Sequence, residues 1–248
     1  MMIRRWLASL VNRAVAFVIL AIVLAALAVA VVSSLVGRSE LAGQTREQVE
    51  TIAELVAGDL DARLAQRRDT LTHVAEGFTM EEVVLRSRSR LLIRREIALQ
   101  HMFDGIYVFD ASGKVIAEYP QSFEQTGLDV SGREYFRQTS SQLTSIISDP
   151  YVSNYRERPA VMMTAPIFDH RQRFIGVLGG AIFLDGDNFM EDTSGVSIGK
   201  TGYVSIATRT GVTLGHGRTG ETMVPLRLEN EAHKKAMAGF EGTVQTLD

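Results

Sequence analysis

Residues 14–37 run for 24 positions without a charge, and only Ser33, Ser34 and Gly37 among them are not apolar. In a helix rising roughly 1.5 Å per residue this reaches about 36 Å, enough to cross a hydrocarbon core of roughly 30 Å. No other stretch constrains the chain so strongly. It predicts a transmembrane helix over 14–37 and speaks against a wholly soluble protein. Arg4, Arg5 and Arg13 precede it, and no acidic residue comes before Glu40. Basic residues on the short flank predict a cytoplasmic N-terminus, 1–13, with the remainder periplasmic or extracellular. Setting those three arginines aside leaves 23 basic against 29 acidic residues, a net of −6. A net-acidic exterior gives no reason to expect nucleic acid.

A cleaved secretory signal is the competing reading of this stretch, and Ala28, Val29 and Ala30 do imitate a cleavage site. Such signals have an apolar core of about 7–15 residues, so the length favours an uncleaved anchor in a lipid bilayer. The chain has no cysteine. That removes disulfide frameworks and thiolate chemistry, and an external domain of this size can stand on its core without staples.

Beyond the span, Leu41, Val49, Ile52, Leu55, Val56, Leu60, Leu64, Leu71 and Val74 recur mostly at three, four or seven residues. Charged residues fill the other face, which predicts a long helix. Gly43 and Gly58 each weaken it by about 1 kcal/mol relative to alanine, so packing must hold it. It reads as a strut or dimer seam, or as a helix lying on its own domain. Thr79 is placed to cap a second helix running to about Met102, with Glu81 and Glu82 in its first turn. Arg86, Arg88, Arg90, Arg94 and Arg95 along it read as a solvated face, since no aromatic residues interleave.

From Gly105 the period changes to that of strands. Residues 105–110 and 114–119 flank Ala111-Ser-Gly113 as a hairpin. Ser131 or Asp129 is placed to cap a short helix through Ser141, and strands are expected over 145–153, 160–168 and 173–184. Two strands, a helical crossover and a three-stranded meander predict an α+β fold with an antiparallel sheet. A second hairpin, 203–208 and 212–216 around Arg209-Thr-Gly211, looks like the first and predicts two similar modules in tandem. One hairpin and one helical segment near 229–239 leave the second module incomplete, so the expectation is the N-terminal piece of a longer protein. The boundaries read as 38–102 for the helical strut, 103–190 for the first module and 191–248 for the start of the second.

Several motifs imitate catalytic sites. Gly195-Val-Ser-Ile-Gly199 matches the hydrolase elbow, but a polar loop precedes Ser197 and a strand follows, the wrong context. Asp185-Gly-Asp187-Asn188 opens like a calcium loop, yet Phe189 and Met190 occupy the fifth and sixth positions. A turn is the better reading. The five histidines lack metal-binding spacing, and Gly176-Val-Leu-Gly-Gly180 reads as glycines that allow close packing of a strand. No enzyme, metal or cofactor is expected.

What remains is a set of residues able to hold a small zwitterion. Arg133 and Tyr135 stand at the start of the short helix, where a guanidinium, a hydroxyl and backbone N–H groups together suit a carboxylate. Tyr151 lies on a strand, and Asp185 at a strand end suits an ammonium. Alternatively Arg133 and Asp185 simply pair and hold the helix on the sheet. Spacing alone leaves both open.

At these residues the sequence resembles a double Cache domain, the extracellular sensor of many bacterial transmembrane receptors. The resemblance is carried by Asp129-Val-Ser-Gly-Arg-Glu-Tyr-Phe136, Ile147-Ser-Asp-Pro-Tyr-Val-Ser153 and Pro159-Ala-Val-Met-Met-Thr-Ala-Pro-Ile-Phe-Asp169. It continues through Phe174-Ile-Gly-Val-Leu-Gly-Gly-Ala-Ile-Phe-Leu-Asp185 and Gly199-Lys-Thr-Gly-Tyr203, and covers roughly residues 38–248. It implies two PAS-like modules and a ligand pocket in the membrane-distal one. By resemblance Arg133 and Tyr135 hold a carboxylate, Tyr151 and Asp185 an amine, and Phe136 and Ser153 complete the site. Tyr135 replaces the usual tryptophan, Phe136 the usual tyrosine, and Ser153 an acidic contact. The implied ligand is therefore an amino acid or another small carboxylate. The implied protein is a sensor in the bacterial inner membrane, a homodimer through its N-terminal helices. Its implied output is a diguanylate cyclase, with a chemoreceptor or histidine kinase as alternatives. A membrane-anchored interaction protein without ligand is the reading from another class.

Overall fold

A computed structural model describes the backbone of residues 2–186, 195–198, 200–226 and 229–244, and their side chains except 2–21, 34–45 and Ser197. The chain divides into two compact units, residues 1–53 and 54–248. The first is helical: α1 extends over Met2–Glu76 and contributes its first part to this unit. Half of the span expected at 14–37 lies outside the described side chains, and the remaining residues, 22–33, are exposed. Among the described residues no helix is long and apolar enough to cross a membrane.

The second unit is built on one antiparallel sheet. Its strands are β1 (Gly105–Asp110), β2 (Val115–Tyr119), β3 (Ile146–Ile147), β4 (Tyr151–Val152), β5 (Pro159–Phe168) and β6 (Phe174–Phe183). They lie in the order β2-β1-β6-β5-β3, with β4 also paired to β5. The strand expected over 145–153 is thus two short ones. Pro150 lies in the gap and has no N–H to continue a ladder. Ser148 bridges the gap instead, donating its N–H to Met162 O and accepting the Met162 N–H on its hydroxyl.

Alternation along the strands separates two cores. Val161, Met163, Ala165 and Ile167 of β5 face helices, together with Ile106 and Val108 of β1. Leu71 and Ala75 of α1 pack there, followed by three short helices, α2 (Met80–Val84), α3 (Arg86–Arg95) and α4 (Ile97–Met102). The sequence pattern predicts one helix here. Val83, Ser89, Ile93 and Leu99 are the buried positions. A gap of six residues turns a continuous helix by about 240°, so breaks at Leu85 and Glu96 are what bring all four onto the sheet. Thr79 caps α2 with a reciprocal capping box: Glu82 N donates to Thr79 Oγ1, and Thr79 N to Glu82 Oε2 at 2.7 Å.

The opposite face carries α5 (Glu134–Gln142), the crossover helix. Its N-cap is Arg133, with no side-chain cap. Asp129 and Ser131, the expected caps, are used locally, Ser131 N donating to Asp129 Oδ1 at 2.8 Å. Thr139 of α5 and Thr164 of β5 share a buried hydroxyl contact of 2.5 Å that fixes the helix on the sheet. Glycines make this packing possible. A side chain at Gly176 would meet Phe109 O at 2.4 Å, and one at Gly179 would meet the Phe109 ring at 2.7 Å.

Residues 195–198, 200–226 and 229–244 hold two small hairpins, β7 (Ser197–Ile198) with β8 (Gly202–Tyr203) and β9 (Ser205–Ala207) with β10 (Thr213–His216), then α6 (Glu231–Met237). Ile206, Leu214 and Met223 pack against the helix-side core. The β9–β10 hairpin closes as β1–β2 does. Asp110 N donates to Lys114 O and Gly113 N to Asp110 O; Thr208 N donates to Val212 O and Gly211 N to Thr208 O. The strand after each turn is stitched alike, Val130 N to Gly113 O in one case and Leu226 N to Gly211 O in the other. The glycine-199 position and the Asp187–Asn188 part of the calcium-like motif lie outside the described residues.

Candidate functional site

On the α5 face of the sheet, β1 turns Tyr107 and Phe109 inward, β5 contributes Met162, and α5 presents Tyr135. Loop 153–158, between β4 and β5, folds over them. Together they enclose a cavity of about 30 Å³. One water needs roughly 10–15 Å³ of such space, so the pocket admits a water or two.

The walls are aromatic. Tyr107 stacks on Phe109 at 6.1 Å between centroids, Tyr135 meets Tyr151 at 5.3 Å, and Tyr155 of the loop lies 4.1 Å from Phe123. Polar groups are few and specific. Arg133 enters from the N-terminus of α5, donating to Asn154 Oδ1 at 2.6 Å and to Val152 O at 3.5 Å. Its guanidinium carbon stands 5.6 Å from the Tyr151 ring centroid. Ser153 Oγ donates to Tyr155 O at 2.9 Å, which shapes the loop.

Burial governs the hydroxyls. Desolvation pushes Tyr135 up to about 12, with Arg133 opposing the shift, and raises Tyr151 well above the usual phenol value. Tyr107 is raised by burial first and by the nearby Glu118 charge second. The phenols therefore stay neutral at all ordinary pH and can serve as hydrogen-bond donors. Glu118 is itself 3% exposed, and its oxygens accept from Gln125 N at 2.6 Å and Thr126 Oγ1 at 3.0 Å. It secures the 121–127 turn.

Of the residues singled out from sequence, the structure brings Arg133, Tyr135, Tyr151 and Ser153 to the cavity lining. Phe136 is buried beneath it, edge-on to Phe109 at 6.2 Å, and does not line it. Asp185 is elsewhere too. Its Oδ1 accepts from Arg158 Nη2 at 2.7 Å and Nε at 2.9 Å, and Arg158 sits 4.1 Å over the Phe183 ring. The alternative in which Arg133 and Asp185 pair is corrected by this geometry, because each has a different partner. Sequence reasoning missed Tyr107, Gln125, Asn154 and Tyr155 in the lining. A same-face pair, Tyr107 and Phe109, was visible in the alternation of β1. Nothing local marked it, because Ile106 and Val108 make the other face equally apolar.

The sequence matches the Cache domain profile over residues 37–243. No curated protein matches it significantly. Among solved structures it is similar to the ligand-binding domain of the Pseudomonas aeruginosa PAO1 amino acid chemoreceptor PctB in complex with L-Arg. That likeness has a TM-score of 0.61 at 17% identity, covering 73% of this chain and 68% of that one. It is also similar to the ligand-binding domain of the Pseudomonas fluorescens chemoreceptor CtaA in complex with L-isoleucine, with a TM-score of 0.60 at 18% identity, covering 76% and 75%. The ligand-binding domain of Mlp24 with asparagine gives 0.56 at 19% identity, covering 72% and 77%. These identities speak for the fold alone. With the profile spanning most of its length, the chain belongs to the Cache domain family.

Proposed function

We propose that this chain is the ligand-sensing region of a bacterial transmembrane receptor, binding a small carboxylate or amino acid in the cavity between α5 and the sheet. One observation carries the reading: a guanidinium and buried, neutral phenols converge on one pocket. Arg133 supplies the charge, Tyr135 and Tyr151 the donors, and loop 153–158 closes over the ligand. The pocket beneath the loop admits only a water or two, so in this reading loop 153–158 lifts and resettles as a ligand enters. Ligand binding thereby changes how loop and α5 sit, which is a signal.

The finer parts belong to the same proposal. Residues 14–37 span the inner membrane, the sensor faces the periplasm or exterior, and two chains associate through their N-terminal helices. Amino acids bound by the chemoreceptor domains of similar fold support ligand sensing. The repeated hairpin closure at 110–114 and 208–212 supports two modules of common design. The proposed output is a diguanylate cyclase, on the segment Ala236-Met-Ala-Gly-Phe-Glu-Gly-Thr243; a methyl-accepting coiled coil in the same gene would refute that ranking.

The test of the sensor reading is a thermal-shift screen of the full chain in detergent against amino acids and small organic acids. A ligand at 100 Kd stabilises by about 2.7 kcal/mol. Arg133→Ala should weaken the responding ligand roughly tenfold to a hundredfold, the loss of a charge-assisted hydrogen bond of about 1.5–3 kcal/mol. No shift with either class of compound would sink the reading.

A further inference from the structure

The cavity's charges are unbalanced. Among the described residues lining it, Arg133 is the only charged side chain, and no carboxylate is present. The two acids that sequence or position bring nearest are both engaged elsewhere. Asp185 is held by both Arg158 nitrogens outside the lining, and Glu118 is closed off by the donors of the 125–126 turn. Ser153, which by resemblance stands in place of an acidic contact, turns its hydroxyl onto Tyr155 O.

We infer that this site is selective for a small carboxylate that carries no ammonium group. The inference rests on the sensor reading above and narrows its ligand class. A carboxylate seated at Arg133 gains a charge-assisted contact to the guanidinium and neutral donors from the phenols. An α-ammonium is two bonds from the carboxylate carbon, so it would stand close to the same guanidinium. It would find only hydroxyl and amide oxygens there, and a cation placed beside a guanidinium without a carboxylate of its own is disfavoured. The hydroxyls of Tyr107 and Tyr135, in side chains 7% and 6% exposed, have no hydrogen-bond partner among the described residues. Each can donate to an acceptor that enters the pocket. The remaining wall, Phe109 and Met162, suits an apolar or aromatic tail.

An aromatic wall also suits a quaternary amine. Arg133 already lies over the Tyr151 face, so a second cation there would be repelled. The carboxylate is the better occupant.

Matched pairs decide the matter on the full chain in detergent, by calorimetric titration and thermal shift. The pairs are propanoate with L-alanine and 3-phenylpropanoate with L-phenylalanine, with propanamide and choline as neutral and cationic probes. The expected result is that at least one deaminated acid binds tenfold or more tightly than its amino acid partner. Arg133→Ala should lose that binding. Installing the missing acid with Ser153→Asp should narrow or reverse the preference. An amino acid binding as tightly as its deaminated partner, or tighter, overturns the inference while leaving the sensor reading standing. Propanamide or choline matching the acid overturns it as well. If no compound of any class binds, the sensor reading itself fails and this inference falls with it.

Discussion

Arg133 Nη2 donates to the side-chain oxygen of Asn154 at 2.6 Å, joining residues 21 positions apart. The bond fastens the N-terminus of α5 to loop 153–158, and so couples the ligand's charge partner to the flap over the cavity. Arg156 and Glu157 in that loop both take left-handed backbone conformations, φ 51° and 53°. Such positions are uncommon for side chains other than glycine and hold only where surroundings enforce them.

Asn154→Ala should therefore loosen the flap more than the fold. Both partners are partly exposed, so the loss in global stability should be small, about 0.5–1.5 kcal/mol. Amide hydrogen exchange over 153–158 should accelerate several-fold while that of β5 and β6 stays unchanged. Unaltered exchange in the loop would show that Asn154 does not hold it.

The buried phenols predict an alkaline signature. Tyr135 is pushed up to about 12, and Tyr107 and Tyr151 are raised too. A raised folded-state pKa means that the stabilisation is fully present below the unfolded value, about 10, and is lost as pH rises through the folded value. Absorbance at the tyrosinate band should thus show these groups ionising only well above the ordinary phenol value of about 10, together with unfolding. Ionisation of all six tyrosines near pH 10 in a folded chain would contradict their desolvation.

At the acid end the relevant group is Asp169, in the turn between β5 and β6. It accepts from the backbone N–H groups of Arg173 and Arg171, both at 2.9 Å, and from Arg173 Nε at 2.8 Å. Those bonds, the Arg173 backbone first, hold its carboxyl at about 2. A depressed pKa contributes stability above the unfolded value, about 3.9, that is lost as pH falls towards 2. Denaturant midpoints measured from pH 5 to pH 2 should fall across this window, and Asp169→Asn should flatten that part of the curve.

Gly176 is the least replaceable glycine of the sheet. A Cβ there would stand 2.4 Å from the backbone oxygen of Phe109 on the neighbouring strand. Because backbone must move, Gly176→Ala should cost at least 1–3 kcal/mol, as overpacked cores do. Gly132→Ala, with nothing within 4 Å, serves as the control and should be close to neutral. Chemical denaturation of the pair measures the difference.

Local sequence determined the elements whose signals are local. The glycine turns, the strand alternation and the Thr79 cap are short-range matters of φ, period and hydrogen bonding, and they stand close to where the residues place them. Arg133, Tyr135 and Tyr151 were legible from their chemistry as a candidate set, with Asp185 beside them, whereas Ser153 and Phe136 entered only through resemblance. The tertiary structure decided what depended on phase and partner choice. It broke the expected second helix at Leu85 and Glu96, because buried positions six apart cannot share one helical face. It gave Asp185 to Arg158 rather than to Arg133, and it turned Tyr107 to the cavity side of the sheet and Ile106 and Val108 to the helix side. In each case the sequence offered chemically equal choices, two arginines for one carboxylate and two apolar faces for one strand. Only the packing of remote segments distinguishes them.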